Sequence, residues 1–157
     1  MTPILKGKTM PITQLDAEGF LPAGIHDCTI NEIEADFGRF DTSDRRVTLF
    51  NSLRAFHGEL DSARIGKYLI VNGSFVTRKP APNDIDLLLI LKDDLDLNHQ
   101  VPPFQYNPRS GKYVRNHYPF DFFFGFEGQA SVSKMIDTFH KIKGITNRTK
   151  GFLRIAL

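Results

Sequence analysis

The sequence predicts a single α/β domain in which helices flank a mixed sheet. The chain has 157 residues, a length that favours one domain. Short apolar segments typical of strands alternate with longer segments whose apolar residues recur at helical spacing. An apolar share of 41% and 14 phenylalanines are enough to form a core between these layers.

The first 28 residues are predicted to form an irregular arm, and residues 29–157 are predicted to form the domain. The sequence Thr29-Ile-Asn-Glu32 matches a capping box, so we expect a short helix to begin there and end near Gly38. No continuous apolar stretch opens the chain, and we therefore expect no secretory signal. The arm is interrupted by Pro3, Gly7, Pro11, Gly19, Pro22 and Gly24.

A longer helix is expected next, capped by Ser43 or Asp44 and ended by Gly66. Its apolar residues recur at intervals of four, three and four, which places them on one buried stripe. That stripe consists of Leu49, Leu53, Phe56 and Leu60. Residues 67–73 follow as a short buried strand.

Two further strands are predicted at residues 85–91 and 118–126. The first of them is apolar on both faces, as expected for a central strand. The polar, proline-containing residues 92–118 between them are predicted to be a long connection with one short helical turn.

The C-terminal region is predicted to contain a helix followed by a final strand, GFLRIAL. Ser131 or Ser133 is the expected cap of the helix, and Gly144 is its expected end. The predicted apolar side of this helix holds Val132, Met135, Ile136, Phe139 and Ile142.

The composition argues against several functional classes. Twenty basic and 18 acidic residues give a formal charge of +2, too little to indicate nucleic-acid binding from net charge alone. The single cysteine, Cys28, excludes an internal disulfide and a multi-cysteine zinc site. No apolar run approaches the ~20 residues needed to span a membrane, so we expect a cytoplasmic protein.

The strongest chemical signal lies between Gly73 and Asp86, in the segment GSFVTRKPAPNDID. Asp84 and Asp86 open a strand, and residues i and i+2 of a strand share a face, roughly 7 Å apart. Two carboxylates this close repel each other unless a cation or a proton lies between them. A divalent metal is the simplest occupant, and the Gly73-Ser74 turn suits a phosphate.

Asp121 is a third candidate acid, within a strand otherwise rich in phenylalanine. Aspartate is disfavoured in strands, and a buried, unpaired carboxylate costs several kcal/mol. Asp121 could point to solvent or pair with an arginine, or it could face the same point as Asp84 and Asp86. In the last case, three carboxylates could hold two Mg²⁺ ions that bind the attacking and leaving oxygens.

Taken in order, Gly73-Ser74, Asp84-Ile-Asp86 and Asp121 resemble the DNA polymerase beta-type nucleotidyltransferase superfamily over roughly residues 44–126. The segment Pro22-Ala-Gly-Ile-His26 is also similar to the opening of small bacterial members of that superfamily. The resemblance implies a nucleotidyltransferase-like fold and transfer of a nucleoside monophosphate from a nucleoside triphosphate. The acceptor hydroxyl would belong to a protein, an RNA or a small molecule.

The resemblance also implies roles for individual residues. Asp84 and Asp86 would bind two Mg²⁺ ions, and Asp121 would be the third ligand or the base. Gly73 and Ser74 would hold the triphosphate through backbone N–H groups and the hydroxyl.

The chain departs from the superfamily pattern after the glycine-serine turn. Pro80 and Pro82 shorten any helix there. Arg78 and Lys79 occupy the segment instead, as phosphate contacts or as a solvated loop tip. Little of the chain remains for a domain that would grip base and acceptor. A binding or regulatory module with little turnover, such as a toxin–antitoxin or phage-defence partner, is therefore the alternative, and a metal-dependent phosphoesterase is a third.

Other charged residues carry weaker signals. Asp94-Leu-Asp96 lies in a polar stretch and is predicted to be exposed, and no two histidines have metal-ligand spacing. The basic residues near the C-terminus are predicted to form a solvated face or a positive rim for a polyanionic substrate. They are Lys134, Lys141, Lys143, Arg148, Lys150 and Arg154.

Overall fold

Residues 14–40 and 43–157 are described by the computed structural model. Single 3₁₀ turns lie at Ser74–Val76 and Asn107–Arg109. The other elements are β1 (Gly24–Asp27), α1 (Ile30–Phe37), α2 (Arg45–Ala63), β2 (Gly66–Asn72), β3 (Ile85–Leu91), α3 (Pro103–Tyr106), α4 (Gly111–His117), β4 (Phe120–Phe126), α5 (Ala130–Phe139), β5 (Lys141–Ile142), β6 (Ile145–Thr149) and β7 (Gly151–Ala156).

Five of the described strands form one mixed sheet in the order β1-β7-β2-β3-β4. Strand β2 is antiparallel to both β3 and β7, whereas β1–β7 and β3–β4 are parallel pairs. Strands β5 and β6 form a separate hairpin. The α/β fold with a mixed sheet is therefore confirmed. None of the helices in the described ranges is long and apolar enough to cross a membrane.

The sheet is covered on both faces, and its strand β3 is apolar and buried from Leu87 to its last residue, as expected of a central strand. Odd-numbered residues of β3, such as Leu87, pack in one core cluster with the α2 residues Leu53 and Phe56. Even-numbered residues, such as Leu88, pack in a second cluster with Val132 of α5. Even-numbered side chains of β3 therefore face α5.

Helix α1 begins as predicted, with a complete capping box. The Glu32 N–H donates to Thr29 Oγ1 at 3.1 Å, and the Thr29 N–H donates to Glu32 Oε1 at 2.8 Å. Gly38 directly follows the last helical turn. The box satisfies two backbone N–H groups that a helix N-terminus otherwise leaves unpaired.

Helix α2 carries the predicted buried stripe but ends earlier than predicted. Its last residue is Ala63, because Arg64 adopts a left-handed φ of 54° and its N–H bonds to Leu60 O. Gly66 instead begins β2, where a Cβ atom would lie 2.3 Å from Leu157 Cδ1. Gly66 therefore lies in close packing against leucine side chains and does not end the helix.

The predicted arm contains an edge strand. Among its described residues, Gly24–Asp27 form β1 and pair in parallel with β7, and Leu21 is buried in the core. Residues 1–13 of the arm lie outside the described residues. Strand β1 could not be predicted from the sequence, because an exposed edge strand does not need alternating apolar residues.

The connection at residues 92–118 holds more structure than the single turn predicted. It contains α3 and α4, and Ser110 caps α4 by accepting from the Tyr113 N–H at 3.2 Å. Helix α3 packs beside α2, and α4 packs against β4 with Val114 in the core, so part of the long connection belongs to the core layer.

Helix α5 is shorter than predicted. Its N-cap is Gln129, not Ser131 or Ser133, and its last residue is Phe139. Ile142 lies in β5, and Gly144 forms the β5–β6 turn with a φ of +82°. The apolar spacing up to Ile142 suits a helix, but the chain turns into a hairpin after Phe139.

Candidate active site

A cleft of about 630 Å³ lies on the α5 side of the sheet, where β2 ends and β3 and β4 begin. One wall carries polar groups from the strand ends and the turn after β2, and the other comes from α5 and the β5–β6 hairpin. The residues that line it are Phe20, Asn72, Gly73, Ser74, Thr77, Asp86, Asp121, Phe123, Met135, Thr138, Phe139, Lys141, Ile142, Lys143 and Lys150.

Asp86 and Asp121 lie side by side at this cleft. They are register partners on the parallel strands β3 and β4, so their Cα atoms are about 4.8 Å apart and their side chains share a face. Asp86 is half-buried and Asp121 is exposed. Of the alternatives left open by the sequence, the structure thus places Asp121 with Asp86 on the cleft face of the sheet.

Asp84 lies just before β3, exposed and outside the cleft lining. Its charge still acts on the cleft. Burial and the negative charges of Asp84 and Asp121 together raise the pKa of Asp86 to about 6, and the positive charge of Lys150 opposes them. A negative charge on Asp86 is therefore unfavourable unless a bound cation or a proton offsets it.

The chemistry of Asp86 and Asp121 fits a magnesium ion, because Mg²⁺ is commonly bound through one or two carboxylates together with substrate phosphates. Across the described part of the chain, no three Asp, Glu, His or Cys side chains are grouped so that they could hold a metal by themselves. The predicted set of three acids holding two ions stays a prediction, and the adjacent pair is what the fold assembles.

The glycine-serine turn approaches the same carboxylate. Gly73 has φ +91° and ψ −171°, a conformation almost restricted to glycine. A Cβ atom on Gly73 would lie 3.0 Å from both Cγ and Oδ2 of Asp86. Gly73 and Ser74 therefore border the cleft next to Asp86, and their phosphate-binding role stays a prediction.

We expect Gly73→Ala to lower the free energy of unfolding by about 1–3 kcal/mol, because alanine is strained at this φ and ψ. The added Cβ should also displace the Asp86 carboxyl. Chemical denaturation measures the loss.

Gly58→Ala is the matched control for this substitution. Gly58 lies inside α2, where a Cβ atom would have no neighbour within 4 Å, and alanine there should stabilise the helix by about 0.5–1 kcal/mol. Equal effects of the two substitutions would contradict a special requirement for glycine at position 73.

Arg46 fixes the loop that follows the Gly73-Ser74 turn. No sequence pattern identified this residue. Arg46 of α2 is fully buried and donates to the carbonyl oxygens of Phe75 at 2.6 Å, Thr77 at 2.7 Å and Lys79 at 2.7 Å. A further bond of 3.0 Å reaches Phe37 O. Only an arginine offers five donors in a fixed fork, so one side chain fixes the path of the loop.

Arg78 and Lys79, the predicted phosphate contacts, lie outside the cleft lining. The backbone N–H of Arg78 donates to Gly19 O at 3.2 Å, and its guanidinium donates to Asp16 O at 3.2 Å. Arg78 thus attaches the N-terminal segment to this loop, and Phe20 of that segment reaches the cleft. The phosphate role of both residues stays a prediction.

Asn72 and Lys150 are cleft residues whose sequence signal was weak. Asn72 ends β2 and is the register partner of Asp86, and Lys150 lies between β6 and β7. Both side chains are buried. A polar residue at the end of an apolar strand is the signal that could have identified Asn72. Lys150 was included only in the general basic rim.

Comparison with protein families places the chain in one of them. No curated protein and no solved structure matches it. A family model described as a family of unknown function, DUF6932, matches residues 13–156, which include the whole cleft. The chain therefore belongs to this family of unknown function, DUF6932.

Proposed function

We propose that this protein is a metal-dependent nucleotidyltransferase that moves a nucleoside monophosphate from a nucleoside triphosphate to a hydroxyl acceptor. The observation that carries the proposal is the pairing of Asp86 with Asp121 on adjacent strands, beside the Gly73-Ser74 turn. Together with Asp84, these are the elements on which the resemblance to DNA polymerase beta-type nucleotidyltransferases depends. The cleft volume of about 630 Å³ is in the range of small-molecule sites.

Each residue has a defined task in this proposal. Asp86 and Asp121 hold Mg²⁺, with Asp84 as the further predicted ligand, and Gly73 and Ser74 hold the triphosphate. Negative charge on the phosphates would be neutralised by Mg²⁺ held at these carboxylates. Asp121 is exposed and can accept the proton of the acceptor hydroxyl. The acceptor oxygen bonds to the α-phosphorus as the bond to the bridging oxygen breaks, and pyrophosphate leaves.

One observation favours the alternative of a binding or regulatory module with little turnover. Asp84 lies outside the cleft lining, and the described acids form no group of three able to hold a metal by themselves. A module of this kind would keep the nucleotide cleft and lose transfer. It would act through a protein partner, as in a toxin–antitoxin or phage-defence pair.

The test supplies the protein with Mg²⁺, each α-labelled nucleoside triphosphate and a mixture of protein, RNA and small-molecule acceptors. We expect label in an acceptor, and we expect Asp86→Asn to reduce the rate by at least about a hundredfold. That is the upper end of the loss seen when a residue that only supports a metal ligand is removed.

Asp94→Asn is the matched control, since Asp94 belongs to an exposed Asp-x-Asp pair outside the cleft. It should transfer at the wild-type rate. Equal transfer by Asp86→Asn would contradict the proposal. Nucleotide binding without any transfer would favour the module, and release of phosphate to water would favour a phosphoesterase.

A further inference from the structure

Lys150 is a buried cation inside the cleft to which the proposed function assigns no task. Its side chain is 8% exposed, and it lines the cleft together with Asp86 and Asp121. Its backbone is fixed by His140. The Lys150 N–H donates to His140 O at 2.8 Å, and the His140 ring Nδ1 lies 2.9 Å from Lys150 O. These hydrogen bonds fix the position of the Lys150 backbone, from which its side chain extends into the cleft lining.

Two acceptors also hold its ammonium group. Nζ donates to Asn72 Oδ1 at 2.5 Å and to Phe139 O at 3.0 Å, and Asn72 Nδ2 donates to the same carbonyl at 3.2 Å. An ammonium group has three N–H donors. Within the described residues, these two bonds leave one donor for a ligand in the cleft.

The charge of this ammonium group has no close partner among the described carboxylates. Burial lowers the pKa of Lys150 to about 8, and the charge of Asp86 opposes that effect through space. A buried cation that lacks a paired anion is costly, and an anion bound in the cleft would remove that cost. Lys141 and Lys143 line the same cleft and add positive charge at its rim.

We propose that Lys150 binds a phosphate group of the substrate, and that Asn72 and the Phe139 carbonyl position its ammonium group for that contact. This inference rests on the proposed function, since it assumes that a nucleoside triphosphate occupies the cleft. Phosphate is the anion class because a lysine ammonium binds it as a point charge. The apolar residues Phe123, Met135 and Ile142 line the same cleft and are available to the non-phosphate part of the substrate.

The first test measures binding of inorganic tripolyphosphate, which has neither base nor sugar, by calorimetry. Lys150→Met should weaken binding by at least about tenfold, and Lys150→Arg should retain part of it. Lys134→Met is the matched control, because Lys134 is exposed on α5 and does not line the cleft. In the transfer assay, Lys150→Met should raise the KM for nucleotide, whereas Lys134→Met should leave it unchanged.

A measurement on the wild-type protein covers the case in which Lys150→Met fails to fold. The NMR signal of the Lys150 ammonium group should shift when tripolyphosphate is added. An unmoved signal in the presence of bound tripolyphosphate overturns the inference, as does a complete failure of tripolyphosphate to bind.

The two proposals fail in different ways. Wild-type transfer combined with an unchanged KM and tripolyphosphate affinity in Lys150→Met overturns the role of Lys150 and leaves the transferase intact. Tripolyphosphate binding through Lys150 without any nucleotide transfer supports the phosphate contact and refutes the transferase.

Discussion

Replacing Arg46 with methionine should lower the free energy of unfolding by about 2–5 kcal/mol, because each buried carbonyl left without its donor costs about 1–3 kcal/mol. Burial lowers the pKa of Arg46 to about 10, so the group is still charged at neutral pH. Methionine fills much of the volume but donates no hydrogen bond. The carbonyls of Phe37 and Phe75 would then be left buried without their donor. Chemical denaturation measures the loss.

The loop should respond more than the rest of the protein. Four of the acceptors, from Ser74 to Lys79, belong to the loop beside the cleft, and amide exchange there should accelerate when Arg46 is replaced. Arg54→Met is the matched control, because Arg54 lies on the same helix and forms an exposed ion pair with Glu34. Arg54→Met should lower the free energy of unfolding by less than about 1 kcal/mol. Similar losses for the two variants would contradict the clamping role of Arg46.

Asp86→Asn should change stability in the opposite direction in the metal-free protein. The pKa of Asp86 is raised from its usual 3.8 to about 6 in the folded state, so its ionisation destabilises the fold. The difference between the folded and the usual pKa corresponds to a loss of roughly 3 kcal/mol in the free energy of unfolding. Solvent screening of a half-buried group reduces this loss to about 1–2 kcal/mol. The asparagine variant should therefore be more stable than the wild type by about 1–2 kcal/mol at pH 8.

The pH dependence follows from the sign of this shift. Because the folded-state pKa is raised, the wild type has the full contribution of Asp86 below pH 4 and loses it as the pH rises through about 6. Asparagine does not titrate, so the difference in the free energy of unfolding between Asp86→Asn and the wild type should grow from pH 4 to pH 7. Asp94→Asn should show no such difference. A variant less stable than the wild type at pH 8 would mean that the Asp86 carboxylate stabilises the fold.

The sequence predicted those parts of the fold that depend on local chemistry. Thr29 and Glu32 mark the start of α1 because a capping box needs only residues three apart. The apolar run at 85–91 identified β3 because burial on both faces leaves no other composition. The β5–β6 hairpin was not predicted, because the spacing of the apolar residues up to Ile142 also suits a helix. Contacts with the rest of the protein decide between helix and hairpin.

The candidate site was predictable in its residue types but not in its arrangement. Spacing alone places Asp84 and Asp86 on one face, yet it cannot tell that Asp84 falls before the strand begins. Asp121 faces Asp86 because β4 pairs in parallel with β3, and this register is a property of the whole sheet. The positions of Arg46 and Lys150 depend on contacts across 33 and 78 residues of the chain, which no local pattern encodes.

Asn72, Asp86 and Asp121 occupy one rung of the sheet, on three consecutive strands. Because β2, β3 and β4 are hydrogen-bonded neighbours in the sheet, these groups can move apart only if the pairing of these strands breaks. The spacing of these three backbone positions is therefore tied to the pairing of the strands, and it is lost only where that pairing opens. Substitutions in the surrounding α5 and hairpin wall can then change the shape of the cleft without disturbing this framework.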